Sequence, residues 1–162
     1  MGVAAEAYAA ALFARYGYDV SVQYGANQPE YDLIVVSGDR ILKISVKGSQ
    51  DGSWGLTQGY KKGNSYHDAT RQWLESHHRH TIFCLVQFKD TEANEMPRIY
   101  LASPQEIAER LNESAGGRGE TILYEKHTWS SRAAGAGTTD RIPDEWRLTA
   151  ERIELMFEEH GI

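Results

Sequence analysis

The sequence predicts an α/β domain built on a mixed central β-sheet. Three observations carry that prediction. Apolar segments follow one another in the order α-β-β-β-α-β-β-α-β-α. The segment Ser37-Gly-Asp-Arg40 separates two β-type runs, YDLIVV and ILKISVKGS, and reads as a hairpin turn between antiparallel strands. A helical segment then leads into the apolar run TIFCLVQF, which predicts a strand added parallel to ILKISVKGS. The 162 residues predict a single domain, with a core over 1–90 and a C-terminal elaboration over 91–162.

The elements follow in order. Residues 3–16 are Ala-rich, with Val3, Ala7, Ala10, Ala11 and Ala14 at helical spacing, and Gly17 fits the stop. That stripe of small residues predicts close packing of the helix on the sheet, with Glu6 at its border and pointing at Asp32. Residues 18–24 alternate in part and read as a strand. Residues 25–29 read as a loop, 31–36 as a strand and 41–49 as the next. Residues 50–63 are rich in Gly and polar residues. They read as a long loop with a short strand near Trp54. Tyr66, Ala69 and Trp73 recur at spacings of three and four, predicting a helix over 64–77. Residues 81–88 form a buried-type strand, and 97–102 a short one. Ser103-Pro-Gln-Glu106 opens a helix with Ser as N-cap, Pro at N1 and Glu at N3. Residues 121–129 read as a strand, 130–137 as flexible, and a last helix starts at Pro143 or Asp144 and runs to about His160.

Charge is uneven along the chain. Residues 1–89 hold nine Lys/Arg and eight Asp/Glu, and residues 90–162 hold eight and fifteen, for a formal net charge of -6. An acidic chain is a poor non-specific coat for nucleic acid, but it is compatible with an enzyme that has a local basic groove in its first half. The acidic excess in 151–159 reads as solvated helix surface. One cysteine, Cys84, excludes an internal disulfide and a CxxC zinc site. Apolar runs are too short to span a membrane, the start lacks a signal-peptide pattern, and the expected address is a reducing cytoplasm. The run His77-His78-Arg79-His80 caps a helix end, and adjacent histidines on a helix point apart, so it reads as structural. No P-loop, GxGxxG or GxSxG pattern occurs.

The chemistry concentrates between Glu6 and Lys47. On ILKISVKGS, Ile41, Lys43, Ser45, Lys47 and Ser49 share one face, and Leu42, Ile44, Val46 and Gly48 the other. Asp32, with Glu30 at the same parity, lies on the strand before. A short hairpin makes the two strands neighbours, so an acid and a lysine meet on one side of the sheet. By itself this is equally an ordinary cross-strand ion pair.

The ordered set of a helix bearing Glu6, then Gly17-Tyr-Asp-Val20, Tyr24-Gly25, Tyr31-Asp-Leu-Ile-Val35 and Ile44-Ser-Val-Lys-Gly-Ser49 resembles the PD-(D/E)XK nuclease superfamily, the restriction-endonuclease-like fold. It is nearest in look to the Holliday-junction-resolvase and homing-endonuclease branch. The resemblance covers about residues 1–90. It implies an αβββαβ core, a magnesium- or manganese-dependent endonuclease, and DNA as partner; a homodimer is compatible with it. Glu6 matches the helix acid, Asp32 the acid of the second motif, and Lys47 the lysine of the (D/E)-x-K tripeptide. The tripeptide's acid is replaced by Ser45. Three readings of that departure stand open: a carboxylate supplied from Glu6 or Glu30; a weak metal site of Asp32, the Val46 carbonyl, Ser45 and waters; or a degenerate site on a non-enzymatic binding or assembly module. In an active site, Asp32 and Glu6 would hold the metal, and Lys47 would offset charge developing at phosphate. Lys43, Tyr60, Lys61 and Lys62 are candidate nucleic-acid contacts. Trp54 is a candidate base-stacking residue, but by residue type it reads as a core anchor. Gln58 is a candidate accessory residue.

Overall fold

A strand that is apolar on both faces has to lie inside a sheet, and the run TIFCLVQF does so. In the computed structural model, which describes residues 2–23 and 30–162, β5 (Thr81–Gln87) is buried along its whole length. The loop predicted over 25–29, together with Tyr24, lies outside the described residues. β5 belongs to a five-stranded sheet of order β1-β2-β3-β5-β6, with β1 Asp19–Val22, β2 Leu33–Ser37, β3 Arg40–Ser49 and β6 Arg98–Ala102. The hairpin forms as expected: β2 and β3 pair antiparallel from Ser37↔Arg40 to Leu33↔Ile44. β3 and β5 are parallel, from Lys43↔Thr81 to Ser49↔Gln87. The remaining pairings, β1 with β2 and β5 with β6, are antiparallel, so the sheet is mixed.

The chain divides into two compact units. The first comprises residues 1–51, 79–103 and 144–162, and contains the five-stranded sheet, α1 (Gly2–Arg15) and α4 (Ala150–His160). Both helices pack on the sheet face that carries Leu33, Val35, Leu42, Ile44 and Val46. α1 turns a different stripe inward from the one its alanine spacing suggests. Ala5, Ala9 and Phe13 are fully buried, whereas Val3 is 86% exposed and Ala7, Ala11 and Ala14 face solvent. Alanines occupy several faces of this helix, so the one large ring, Phe13, decides the rotation, since it removes most apolar area from water. α4 starts after a 3-10 turn at Asp144–Trp146, with the Thr149 side chain accepting the Arg152 N–H as N-cap. Most of its acids are solvated. Glu154 instead accepts from Tyr18 Oη (2.7 Å) and Arg40 (3.2 Å), joining α4 to the chain before β1 and to the start of β3.

The second unit comprises residues 52–78 and 104–143. It holds α2 (Tyr66–Ser76), α3 (Pro104–Glu113) and two two-stranded ribbons. In one, β4 (Ser53–Gly55) pairs with β7 (Ile122–Tyr124); in the other, β8 (Lys126–Thr128) pairs with β9 (Thr139–Arg141). The single strand expected over 121–129 is therefore two, broken at Glu125, each half serving a different ribbon. No helix among the described residues is long and apolar enough to cross a membrane.

Two outcomes check this packing. Ala9→Leu should cost about 1–3 kcal/mol by overpacking a closed site, while Ala7→Leu should stay within about 0.5 kcal/mol, both read by denaturant unfolding. The Tyr18 and Arg40 hydrogen bonds hold the Glu154 carboxyl below its ordinary range. The Tyr18 hydroxyl is pushed up to about 12, first by burial and then by Glu154. A depressed carboxyl stabilises the fold above its unfolded-state value and loses that contribution as pH falls through its folded value. Glu154→Gln should thus melt below the parent at neutral pH, and the gap should close on acidification.

Candidate active site at the start of strand β2

The site lies just ahead of the first residue of β2. The β2 ladder ends at Leu33↔Ile44, yet β3 runs five residues further, still paired with β5 on its other edge. Beyond Ile44 no strand among the described residues pairs with the β2-side edge of β3, which leaves a notch in the described ladder. Asp32 sits at its mouth with its backbone held on both sides: its N–H donates to Ile44 O (2.7 Å) and its carbonyl accepts from Gln23 N (2.8 Å). The Asp32 carboxylate then takes the place of the next ladder carbonyl and accepts the Val46 N–H at 2.7 Å through Oδ2. This bond to a backbone amide of the adjoining strand lies near the plane of the sheet. Asp32 falls in line with Ser45, but its carboxylate occupies the strand edge.

Glu6 reaches the same carboxylate from α1. It lies one position beyond the buried Ala5 and is half-buried, with its carboxyl hydrogen-bonded to Asp32. Burial pushes the Glu6 carboxyl up, and both the charge on Asp32 and the hydrogen bond to it push the same way. Two carboxylates in contact repel unless a proton or a cation lies between them. As a pair they close when Glu6 is protonated and donates to Asp32. A hard divalent cation would replace that proton, because it prefers oxygen donors. The N–H and C=O of one strand residue point to the same edge, so the Val46 carbonyl faces the notch that its amide faces. Two carboxylates and one carbonyl form a donor set suited to magnesium or manganese. No group of three or more His, Cys, Asp or Glu able to hold a metal is found among the described residues.

The other predicted residues are distributed as follows. Lys47 follows Val46 directly and is exposed. Lys43, on the same face, is half-buried with its Nζ 5.1 Å from the Tyr31 ring centroid. Ser45 is 2% exposed, so its hydroxyl is not on a solvent-reachable surface. Glu30 is exposed, two residues before Asp32. Trp54, Gln58, Tyr60, Lys61 and Lys62 belong to the second unit. Trp54 is 3% exposed and pairs with Leu123 in the β4–β7 ribbon. Base stacking by Trp54 is accordingly excluded, and it is a core anchor. The Gln58 amide lies over Gly55 so closely that a Cβ at Gly55 would collide with it. Lys61 stands 4.5 Å above the Tyr66 ring, Lys62 is exposed, and the Tyr60 carbonyl accepts from Asn64. The histidine run is structural where its contacts are seen: His77 packs edge-on against Trp73 and His80 meets the His160 carbonyl. Cys84 is fully buried, which raises its thiol pKa and leaves it unreactive. The sequence signal missed at this site is the role of the Val46 amide, which no side-chain pattern reports.

No family model matches this chain, and no curated protein matches it.

Removing the acceptor should expose the role of the amide bond. Asp32→Ala leaves the buried Val46 N–H without its carboxylate and should cost about 1–3 kcal/mol, whereas Asp32→Asn retains an oxygen there and should cost less. In both variants the Glu6 carboxyl should titrate lower than in the parent, read by carboxyl-carbon NMR, because a neighbouring negative charge is gone.

Proposed function

We propose that this chain is a magnesium-dependent phosphodiesterase that cuts DNA as an endonuclease. The observation that supports it most is the Glu6–Asp32 carboxyl pair at the notch, fixed by the Val46 amide one residue before an exposed lysine. Asp32 and Glu6, with the Val46 carbonyl, would hold the cation. When bound there, magnesium or manganese would polarise the scissile phosphate and lower the pKa of a coordinated water. The backbone bonds of Asp32 fix one carboxylate before substrate arrives, so little reorganisation is needed. The Lys47 ammonium offsets negative charge that grows on the phosphate as the phosphorus–oxygen bond forms. A compact ammonium suits that position better than a planar guanidinium. The reading extends to a reducing cytoplasmic address and admits a homodimer.

One observation favours a second reading, a non-cutting DNA-binding or assembly module. The position of the family's third acid is a buried serine.

Incubating the protein with branched, single-stranded and duplex DNA in magnesium, manganese or chelator separates the two. The nuclease reading expects metal-dependent cleavage that falls by about 10²-fold or more in Lys47→Ala and in Asp32→Asn. The module reading expects binding with no cleavage in any of these conditions. Metal-dependent cleavage that survives in both variants, after contaminating nucleases are removed, would show that the active site lies elsewhere.

A further inference from the structure

The acidic excess of this chain is confined to one unit. The first unit holds nine Lys/Arg and fifteen Asp/Glu, while the second holds eight of each. Within the second unit, the hairpin over residues 126–141 carries three cations, Lys126, Arg132 and Arg141, and all three are exposed. Its one carboxylate, Asp140, is turned inward, where it accepts from Trp129 Nε1 (2.6 Å), the Ala115 N–H (2.9 Å) and Arg110 (3.2 Å). Glu125, just before the hairpin, is half-buried.

The register sharpens this. Lys126 stands directly opposite Arg141, and Thr128 opposite Thr139, so the outward face presents two cations and then two hydroxyls 2.8 Å apart. Like charges directly opposed across a ribbon are destabilising. The inner face is braced: His127 stacks on Tyr124 with centroids 4.3 Å apart and meets Trp129 edge-on. At Gly135 (φ 71°) the hairpin loop passes so near Ala115 that a Cβ would collide with its backbone. Residues 133–137 of the loop between the strands are only alanine and glycine, which lets a polymer backbone approach closely.

We propose that the hairpin over residues 126–141 binds the phosphodiester backbone of duplex DNA, with Lys126, Arg132 and Arg141 on phosphates and the hydrogen-bonded Thr128–Thr139 pair donating its one remaining hydroxyl proton. A two-stranded ribbon is an element the major groove admits, and cations with hydroxyls are the usual phosphate contacts. The inference rests on the DNA-acting reading above for its ligand class, but not on cleavage.

The test is fluorescence-anisotropy binding of the full chain to a labelled duplex and to its single strand, in chelator, over a range of salt. Replacing Lys126, Arg132 and Arg141 together by Gln should weaken duplex binding and flatten the slope of log K against log salt by about 2–3. Arg15→Gln with Lys89→Gln, a charge loss in the other unit, should leave that slope nearly unchanged. Gly135→Ala, which displaces the loop without removing charge, should weaken binding with a smaller change of slope. An unchanged duplex affinity in the triple variant, an equal loss on single strands, or no duplex binding by the parent would each overturn the inference. Asp32→Asn keeps the two proposals apart. Hairpin-dependent binding without any cleavage would refute the nuclease reading alone. Asp32-dependent cleavage with hairpin-independent binding would refute this one alone.

Discussion

The hydrogen bond from the Val46 amide to the Asp32 carboxylate is the constraint on which the candidate site depends. It exists because β3 outruns β2, leaving a strand edge whose next amide needs an acceptor. A side chain supplies what the missing strand does not, and in doing so its carboxylate is fixed to the backbone of the central strand. Glu6 then meets an acid that cannot move aside, and burial together with that contact pushes the Glu6 carboxyl up. The charge demand of the notch thus follows from a mismatch in strand length.

Much of this frame was legible in the sequence, for identifiable reasons. The hairpin could be read because Ser37-Gly-Asp-Arg40 interrupts two β-branched runs, and Gly38 takes the positive φ (64°) that the turn requires. The parallel strand could be read because TIFCLVQF is apolar on both faces. The meeting of Glu6 with Asp32 was expected, although of the stripe expected to bring it about only Ala10 packs against the core, while Val3, Ala7, Ala11 and Ala14 face solvent. In a helix with alanines on every side, spacing cannot choose the buried face, and Phe13 chooses it by area. The break at Glu125 was hidden because β-type residues flank it on both sides, Thr121 to Tyr124 and Thr128-Trp129, and only their pairing with β4 and β9 divides them. The notch left no pattern at all, since the group that matters there is a main-chain amide.

Charge separates the two units more cleanly than it separates the two ends of the chain. Glutamates of α4 account for part of the acidity of the first unit, and most of them are solvated. The second unit balances its charge overall but sets its cations outward on the hairpin and turns Asp140 in. A neutral average therefore conceals a basic surface, which is why net charge alone was a poor guide to where a phosphate polymer would bind.

The central claim is that the Glu6–Asp32 pair exchanges a shared proton for a divalent cation. The direct measurement is a manganese titration of the full chain in weakly buffered solution, following bound metal by its paramagnetic signal and released protons by pH. Below the raised Glu6 value, the account predicts one site per chain, with a proton released as manganese binds, and loss of both in Asp32→Asn. Manganese binding without proton release, binding that persists in Asp32→Asn, or no binding at millimolar metal would contradict it.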